Sequence, residues 1–151
     1  MQTILIIEDS EEDFAAIQRV FRRAPTDVQL VWYRDGEEVM KMLANVGSRM
    51  STGHDTPGML LLDLNLPGID GREILAWIKR DVVLKSVPVV IFSASSSPKD
   101  IAFCYEQGAN GYMVKSLNFT QFEKKLLLFS DYWTHAMVLP PDRGVPVNAG
   151  A

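Results

Sequence analysis

The chain has 151 residues, with 19 acidic against 15 basic residues, which gives a formal net charge of −4. Hydrophobic residues make up 47% and charged residues 23%, which is typical of one globular domain and excludes a disordered chain, a collagen-like fibre and a disulfide scaffold. An acidic chain without a basic run is a poor candidate for nucleic-acid binding. Its apolar runs are too short to span a bilayer, and its start lacks a positively charged leader, so we expect neither a membrane partner nor secretion. The single cysteine, Cys104, cannot form an internal disulfide and favours the cytoplasm.

Short apolar runs alternate with helix-like segments along the whole chain. Each helix-like segment opens with a capping signal, of which Pro98 directly after the N-cap candidate Ser97 is the strongest. Residues 45–57 are rich in Gly, Ser and Thr and predict a surface loop. The last helix is predicted to end near residue 137. The five predicted strands are residues 4–7, 28–33, 59–62, 87–92 and 111–114.

This alternation predicts an α/β fold, in which a five-stranded parallel sheet is covered by helices on both faces. Right-handed crossovers then build a doubly wound sheet, and we expect the flavodoxin-like order 2-1-3-4-5. The predicted domain covers residues 1–139, and residues 140–151 form a tail that contains Pro and Gly. Ligands of such sheets bind at the carboxyl ends of the strands, so the residues at those ends are the candidates for function.

Charged and polar residues stand where the predicted strands end. Glu8 and Asp9 follow the first strand, Asp63 the third, Ser93 the fourth and Lys115 the fifth. Three carboxylates at one edge repel one another, and a divalent cation removes that conflict, with oxygen ligands favouring Mg²⁺. A cation beside Asp63 suits phosphoryl chemistry with that carboxylate as a covalent nucleophile. Lys115 can supply a positive charge, and Ser93 a hydroxyl donor, to phosphoryl oxygens.

Four segments in this order resemble the receiver domain of bacterial two-component response regulators. The segments are residues 6–10, 61–71, 89–94 and 108–115, and the resemblance runs from about residue 2 to residue 133. It implies that Asp63 accepts a phosphoryl group from the phosphohistidine of a histidine kinase. The further residues that it implies are Asp9, Asp63 and the Asn65 backbone carbonyl as direct Mg²⁺ ligands, Glu8 acting through water, and Ser93 with Tyr112 as the switch pair.

The end of the chain resembles one subgroup of these response regulators. Its aromatic and proline residues after residue 118 are similar to the extension of stand-alone response regulators associated with bacterial and cyanobacterial phytochromes. This implies a single-domain regulator with a bacteriophytochrome as its sensor kinase, and a homodimer. The last helix is apolar on more than one face, so we expect the dimer contact to use strand 5, helix 5 and the tail.

The residue after Lys115 departs from the common receiver pattern. Most receivers have a proline there, joined by a cis bond, whereas this chain has Ser116. A cis bond before serine costs about 3–4 kcal/mol, so we expect a trans bond or a rearranged loop.

Three other interpretations stay open. A Mg²⁺-dependent phosphatase with an aspartyl nucleophile usually has a second Asp two residues later, where this chain has Asn65. A phosphorylation-independent pseudo-receiver would not need the intact set of acidic, hydroxyl and lysine residues. A flavodoxin shares the architecture, but the acidic residues after strand 1 would repel a phosphate. We expect a signalling module that catalyses its own phosphorylation and slow dephosphorylation, not a turnover enzyme.

Overall fold

The computed structural model describes residues 2–23, 27–47 and 56–140. Over these residues strands and helices alternate as the sequence predicts. The strands are β1 (Gln2–Ile7), β2 (Val28–Tyr33), β3 (Met59–Leu62), β4 (Val89–Ser93) and β5 (Gly111–Val114). The α-helices are α1 (Glu11–Arg23), α2 (Gly36–Gly47), α3 (Gly71–Arg80), α4 (Pro98–Glu106) and α5 (Phe119–Asp131).

The strands form one parallel sheet in the order β2-β1-β3-β4-β5, which confirms the predicted doubly wound topology. All residues of β3 and β4 are buried, because both faces of the sheet are covered. Successive side chains of a strand point to opposite faces, so β1 contributes Leu5 and Ile7 to one core and Ile4 and Ile6 to the other. The first core is closed by α2, α3 and α4, and the second by α1 and α5. None of the helices in the described ranges is both long and apolar enough to cross a membrane.

Side-chain caps confirm four predicted helix starts, at Ser10 for α1, Asp35 for α2, Asp70 for α3 and Asn118 for α5. The Asp70 carboxylate accepts from the amide of Arg72 at the start of α3, and the Asn118 side chain accepts from the amide of Gln121 at the start of α5. Ser97 does stand at the N-cap of α4, with Pro98 after it, but its hydroxyl makes no capping bond.

Two predicted boundaries are wrong by a few residues. Strand β4 begins at Val89 rather than at residue 87, because the Val87 amide is used to close the preceding 3₁₀ turn on the Leu84 carbonyl. Helix α2 continues to Gly47, so the predicted loop begins later than residue 45. Within that loop, residues 48–55 lie outside the described residues.

The helical segment at the end of the chain closes near residue 137, as predicted, but its last turn is not α-helical. Residues Tyr132–Ala136 form a π turn, in which the Met137 amide donates to the Tyr132 carbonyl. The Thr134 hydroxyl donates to the Ser130 carbonyl at 2.6 Å and so competes for an acceptor of the helix ladder. Of the predicted tail, residues 141–151 lie outside the described residues.

Candidate functional site

The register of the sheet brings the ends of its strands to one level. Strands β1 and β3 are paired up to their last residues, and the Asp63 amide extends the pairing by donating to the Ile7 carbonyl at 3.0 Å. The pairing of β4 with β5 is extended in the same way, because the Lys115 amide donates to the Ser93 carbonyl at 2.8 Å. The residues that follow the strands therefore meet at one edge, where a doubly wound sheet binds its ligands.

Three carboxylates converge at this edge. Oxygen atoms of Glu8, Asp9 and Asp63 all lie within 4.8 Å of one another. Glu8 is 1% and Asp63 5% exposed, whereas Asp9 faces solvent. The Asn65 amide donates to Asp63 Oδ1 at 3.3 Å, and the role of its carbonyl as a ligand stays a prediction. Clustered carboxylate oxygens of this kind fit a hard divalent cation.

The ammonium group of Lys115 lies inside the same pocket. Its Nζ is 2.6 Å from Glu8 Oε2, 3.0 Å from Asp63 Oδ2 and 2.8 Å from Asp13 Oδ2. It also lies 5.1 Å from the centre of the Phe92 ring. No peptide bond in the described residues is cis, so Lys115 reaches the pocket although a trans bond joins it to the next residue.

The pocket holds more negative charge than one lysine balances. Burial raises the pKa of the Glu8 carboxyl to about 8, and the charge of Asp63 adds to this effect. Burial alone would lower the pKa of the Lys115 ammonium, but Glu8, the hydrogen bond to Asp13 and the charge of Asp63 outweigh it and raise that pKa. A cation shared by the three clustered carboxylates would counteract both the burial and the repulsion that raise the pKa of Glu8.

The two predicted switch residues meet at Ser95, in the loop between β4 and α4. The buried Ser93 hydroxyl accepts from the Ser95 amide at 3.1 Å, and the Tyr112 hydroxyl donates to the Ser95 carbonyl at 2.8 Å. The Ser95 hydroxyl donates to Asp100 at 2.6 Å, and Asp100 forms an ion pair with Arg72 at 3.0 Å. A continuous polar network therefore runs from the pocket to the first turns of α4 and α3.

Two further residues hold the backbone beside the carboxylates. The Trp32 indole N–H donates to the Glu8 carbonyl at 2.7 Å, and its ring stacks on Phe14 at 4.1 Å. At the start of α3, a Cβ on Gly71 would collide with the Asp63 carbonyl oxygen and lie 2.7 Å from the Leu64 Cα. Glycine at that position lets α3 approach the backbone of Asp63 closely.

Asp13 is the residue of this pocket that the sequence analysis did not single out. Its backbone amide donates to the Ser10 hydroxyl at 3.2 Å, so Ser10 is the residue that caps α1. The carboxylate, however, points to Lys115. A signal was available: α1 starts directly after the end of β1, so its first turn must lie at the same edge of the sheet.

Known proteins of similar sequence and structure share this fold. Residues 4–127 match the family model for the response regulator receiver domain. The response regulator Rcp1 of Synechocystis sp. is 36% identical over 139 residues, which cover 92% of this chain and 93% of Rcp1. The crystal structure of Mn²⁺-bound Rcp1 matches with a TM-score of 0.85 at 36% identity, covering 93% of this chain and 99% of that one. The phosphorylated cyanobacterial phytochrome response regulator RcpA matches with a TM-score of 0.82 at 36% identity, covering 92% of this chain and 98% of that one. The chain therefore belongs to the response regulator receiver domain family.

Proposed function

We propose that this protein is a response regulator that accepts a phosphoryl group on Asp63 from a sensor histidine kinase, with Mg²⁺ bound at the carboxylate cluster. One observation carries the proposal: oxygens of Glu8, Asp9 and Asp63 lie within 4.8 Å of one another, beside the ammonium of Lys115. The similar proteins support it, because Rcp1 has been solved with bound Mn²⁺ and RcpA in a phosphorylated form.

Phosphoryl transfer needs a nucleophile and donors for the transferring oxygens. An Asp63 carboxylate oxygen forms the new bond to phosphorus while the phosphorus–nitrogen bond of the donor histidine breaks. A cation held by Glu8, Asp9 and Asp63 would screen the carboxylate and neutralise charge on the transferring oxygens. Lys115, 3.0 Å from Asp63, is placed to donate to one phosphoryl oxygen, and the Ser93 hydroxyl to another.

The same step acts on the switch residues. The Ser93 hydroxyl now accepts from the Ser95 amide, so turning it to the phosphoryl group changes the bonds of the loop before α4. Tyr112 is held to that loop through the Ser95 carbonyl. Phosphorylation then biases a two-state element that includes α4, β5 and α5.

Ala94 beside the site is exposed and small, which leaves room for the water that slowly hydrolyses the acyl phosphate and restores Asp63. The protein is then a signalling module rather than a turnover enzyme.

Incubation with acetyl phosphate and Mg²⁺ tests this proposal by intact mass spectrometry. We expect one phosphoryl adduct on the wild type and none on Asp63→Asn. Asp70→Asn is the matched control, because Asp70 caps α3 nearby and should leave the adduct unchanged. An adduct on both wild type and Asp63→Asn, or on neither, contradicts the assignment. Multiple-turnover release of phosphate from a simple phosphate ester would instead favour the phosphatase.

A phytochrome-type kinase is the partner that we propose. The support is the similarity to RcpA, whose structure is that of a phytochrome response regulator. A purified bacteriophytochrome kinase should label this protein faster than a sensor kinase with an unrelated input domain does, and the rate should change between red and far-red light. Equal labelling by both kinases contradicts this choice.

The lone, buried thiol of Cys104 is compatible with phosphoryl transfer in the cytoplasm.

We also propose a homodimer through the face of β5 and α5. Strand β5 is an edge strand, and a groove of about 620 Å³ runs along it between α4 and α5. Large apolar side chains stay exposed there, with Leu128 62%, Tyr105 51% and Tyr132 50% accessible. A second copy is the commonest cover for such a face. The rest of the predicted contact, the tail after residue 140, lies outside the described residues.

Light scattering on two charged variants tests the dimer. Leu128→Asp places a charge in the groove, whereas Val82→Asp places one at a similarly exposed apolar residue away from it. We expect a dimer for the wild type and for Val82→Asp, and a monomer for Leu128→Asp. A monomeric wild type, or a dimer that survives Leu128→Asp, contradicts the proposed interface.

A further inference from the structure

Asp13 differs from the other two carboxylates that contact Lys115. Glu8 and Asp63 belong to the cluster that could share a metal ion, and Asp13 does not. Asp13 Oδ2 nevertheless lies 2.8 Å from Lys115 Nζ, as close as the other two contacts. Lys115 therefore has one anionic partner that does not depend on whether the cluster holds a cation.

A cation in the cluster sets up a competition. A divalent ion held by the carboxylate cluster would take over the negative charge that Lys115 now uses, and it would repel the ammonium at short range. The lysine side chain is flexible. Without another anionic partner, its ammonium group would therefore move out of the pocket into solvent.

Asp13 is well placed to prevent this loss. It lies in the first turn of α1, and the hydrogen bond from its backbone amide to the Ser10 hydroxyl holds that turn in place. Its side chain is 27% exposed and that of Lys115 12%, so the pair is only partly screened by solvent. A partly buried, charge-assisted contact of this kind is stronger than a surface ion pair.

We propose that Asp13 is a positioning residue, which keeps the Lys115 ammonium at the pocket while the carboxylate cluster holds Mg²⁺. Lys115 then meets the incoming phosphoryl oxygen without first returning from solvent. This inference rests on the proposed function, because it concerns the rate at which Asp63 is phosphorylated.

The test measures the rate of phosphorylation by acetyl phosphate at saturating Mg²⁺ for Asp13→Asn, alone and combined with Lys115→Ala. We expect Asp13→Asn to lower the rate about ten- to a hundredfold in the wild-type background, the size of one lost charge-assisted hydrogen bond. In the Lys115→Ala background it should have no further effect. Asp13→Glu should restore part of the rate. Glu12→Gln is the matched control, because it removes an exposed charge from the same helical turn and should leave the rate unchanged.

Several results would overturn the inference. A loss in Asp13→Asn that is seen at low Mg²⁺ but is absent at saturating Mg²⁺ would mean that Asp13 only attracts the cation. An equal loss in the Lys115→Ala background, or an equal loss in Glu12→Gln, would mean that Asp13 does not act through Lys115. An unaltered rate in Asp13→Asn, with the wild type labelled on Asp63, defeats this inference and leaves the proposed function standing. A wild type that takes no phosphoryl group defeats both.

Discussion

The metal-free protein should lose stability as the pH rises from mildly acidic to neutral. The pKa of Glu8 is raised from its ordinary 4.5 to about 8 in the folded chain, first by burial and then by Asp63. Between these values the folded chain keeps a proton that the unfolded chain has released. The stabilising contribution of the protonated group is thus fully present below 4.5 and is lost as the pH rises through about 8. One such proton changes the free energy of unfolding by about 1 kcal/mol per pH unit.

Urea unfolding, followed by tryptophan fluorescence in the presence of a chelator, measures this slope between about pH 5.5 and 7.5. The charged groups that face Glu8 are Asp63, Asp9 and Lys115. Lys115 stays charged over this range, because its pKa is raised. Saturating Mg²⁺ should flatten or reverse the slope, because the ion binds the deprotonated cluster of the folded state.

Two variants isolate the source of the slope. Glu8→Gln removes the titrating carboxyl and should abolish most of the dependence, whereas Glu12→Gln should keep it. Stability of the metal-free wild type that rises or stays level with pH would refute this reasoning. So would a slope that Glu8→Gln leaves unchanged.

Three further predictions concern the surroundings of the pocket. Gly71→Ala should lower the free energy of unfolding by about 2–3 kcal/mol in urea titrations, because the new Cβ would collide with the Asp63 and Leu64 backbone. Gly111→Ala is the control, since a Cβ there makes only ordinary van der Waals contacts, and it should lower the free energy of unfolding by less than about 1 kcal/mol. Equal effects of the two substitutions would contradict this prediction. Asp70→Ala should cost about 1 kcal/mol in the same assay through loss of the α3 cap, and an unchanged midpoint would speak against that cap. Ser95→Ala should speed hydrogen exchange of the first amides of α4, because the bond to Asp100 is lost, and wild-type exchange would contradict the network.

The topology was predictable from the sequence because its physical causes are local. The continuous apolar run of β3 can only be buried on both faces, and a carboxylate, Asp63, directly follows it. The strand ends of a parallel sheet share one edge, so the convergence of Glu8 and Asp63 followed from strand order alone.

What the sequence did not predict depends on contacts between distant residues. The ion pair of Asp13 with Lys115 joins α1 to the end of β5, and the ion pair of Asp100 with Arg72 joins α4 to α3. Neither pair has a spacing in the sequence that would identify its two residues as partners. The later start of β4 has a local origin instead, since the Val87 amide closes a 3₁₀ turn on the Leu84 carbonyl.

Binding of Mn²⁺, which shares the preference of Mg²⁺ for oxygen ligands, can be followed by electron paramagnetic resonance on the purified chain. We expect one ion per chain for the wild type, loss of that ion in both Asp9→Asn and Asp63→Asn, and wild-type binding in Asp70→Asn. Binding that survives either of the first two substitutions, or a wild type that binds no ion, would mean that the carboxylates that follow β1 and β3 do not hold a metal together.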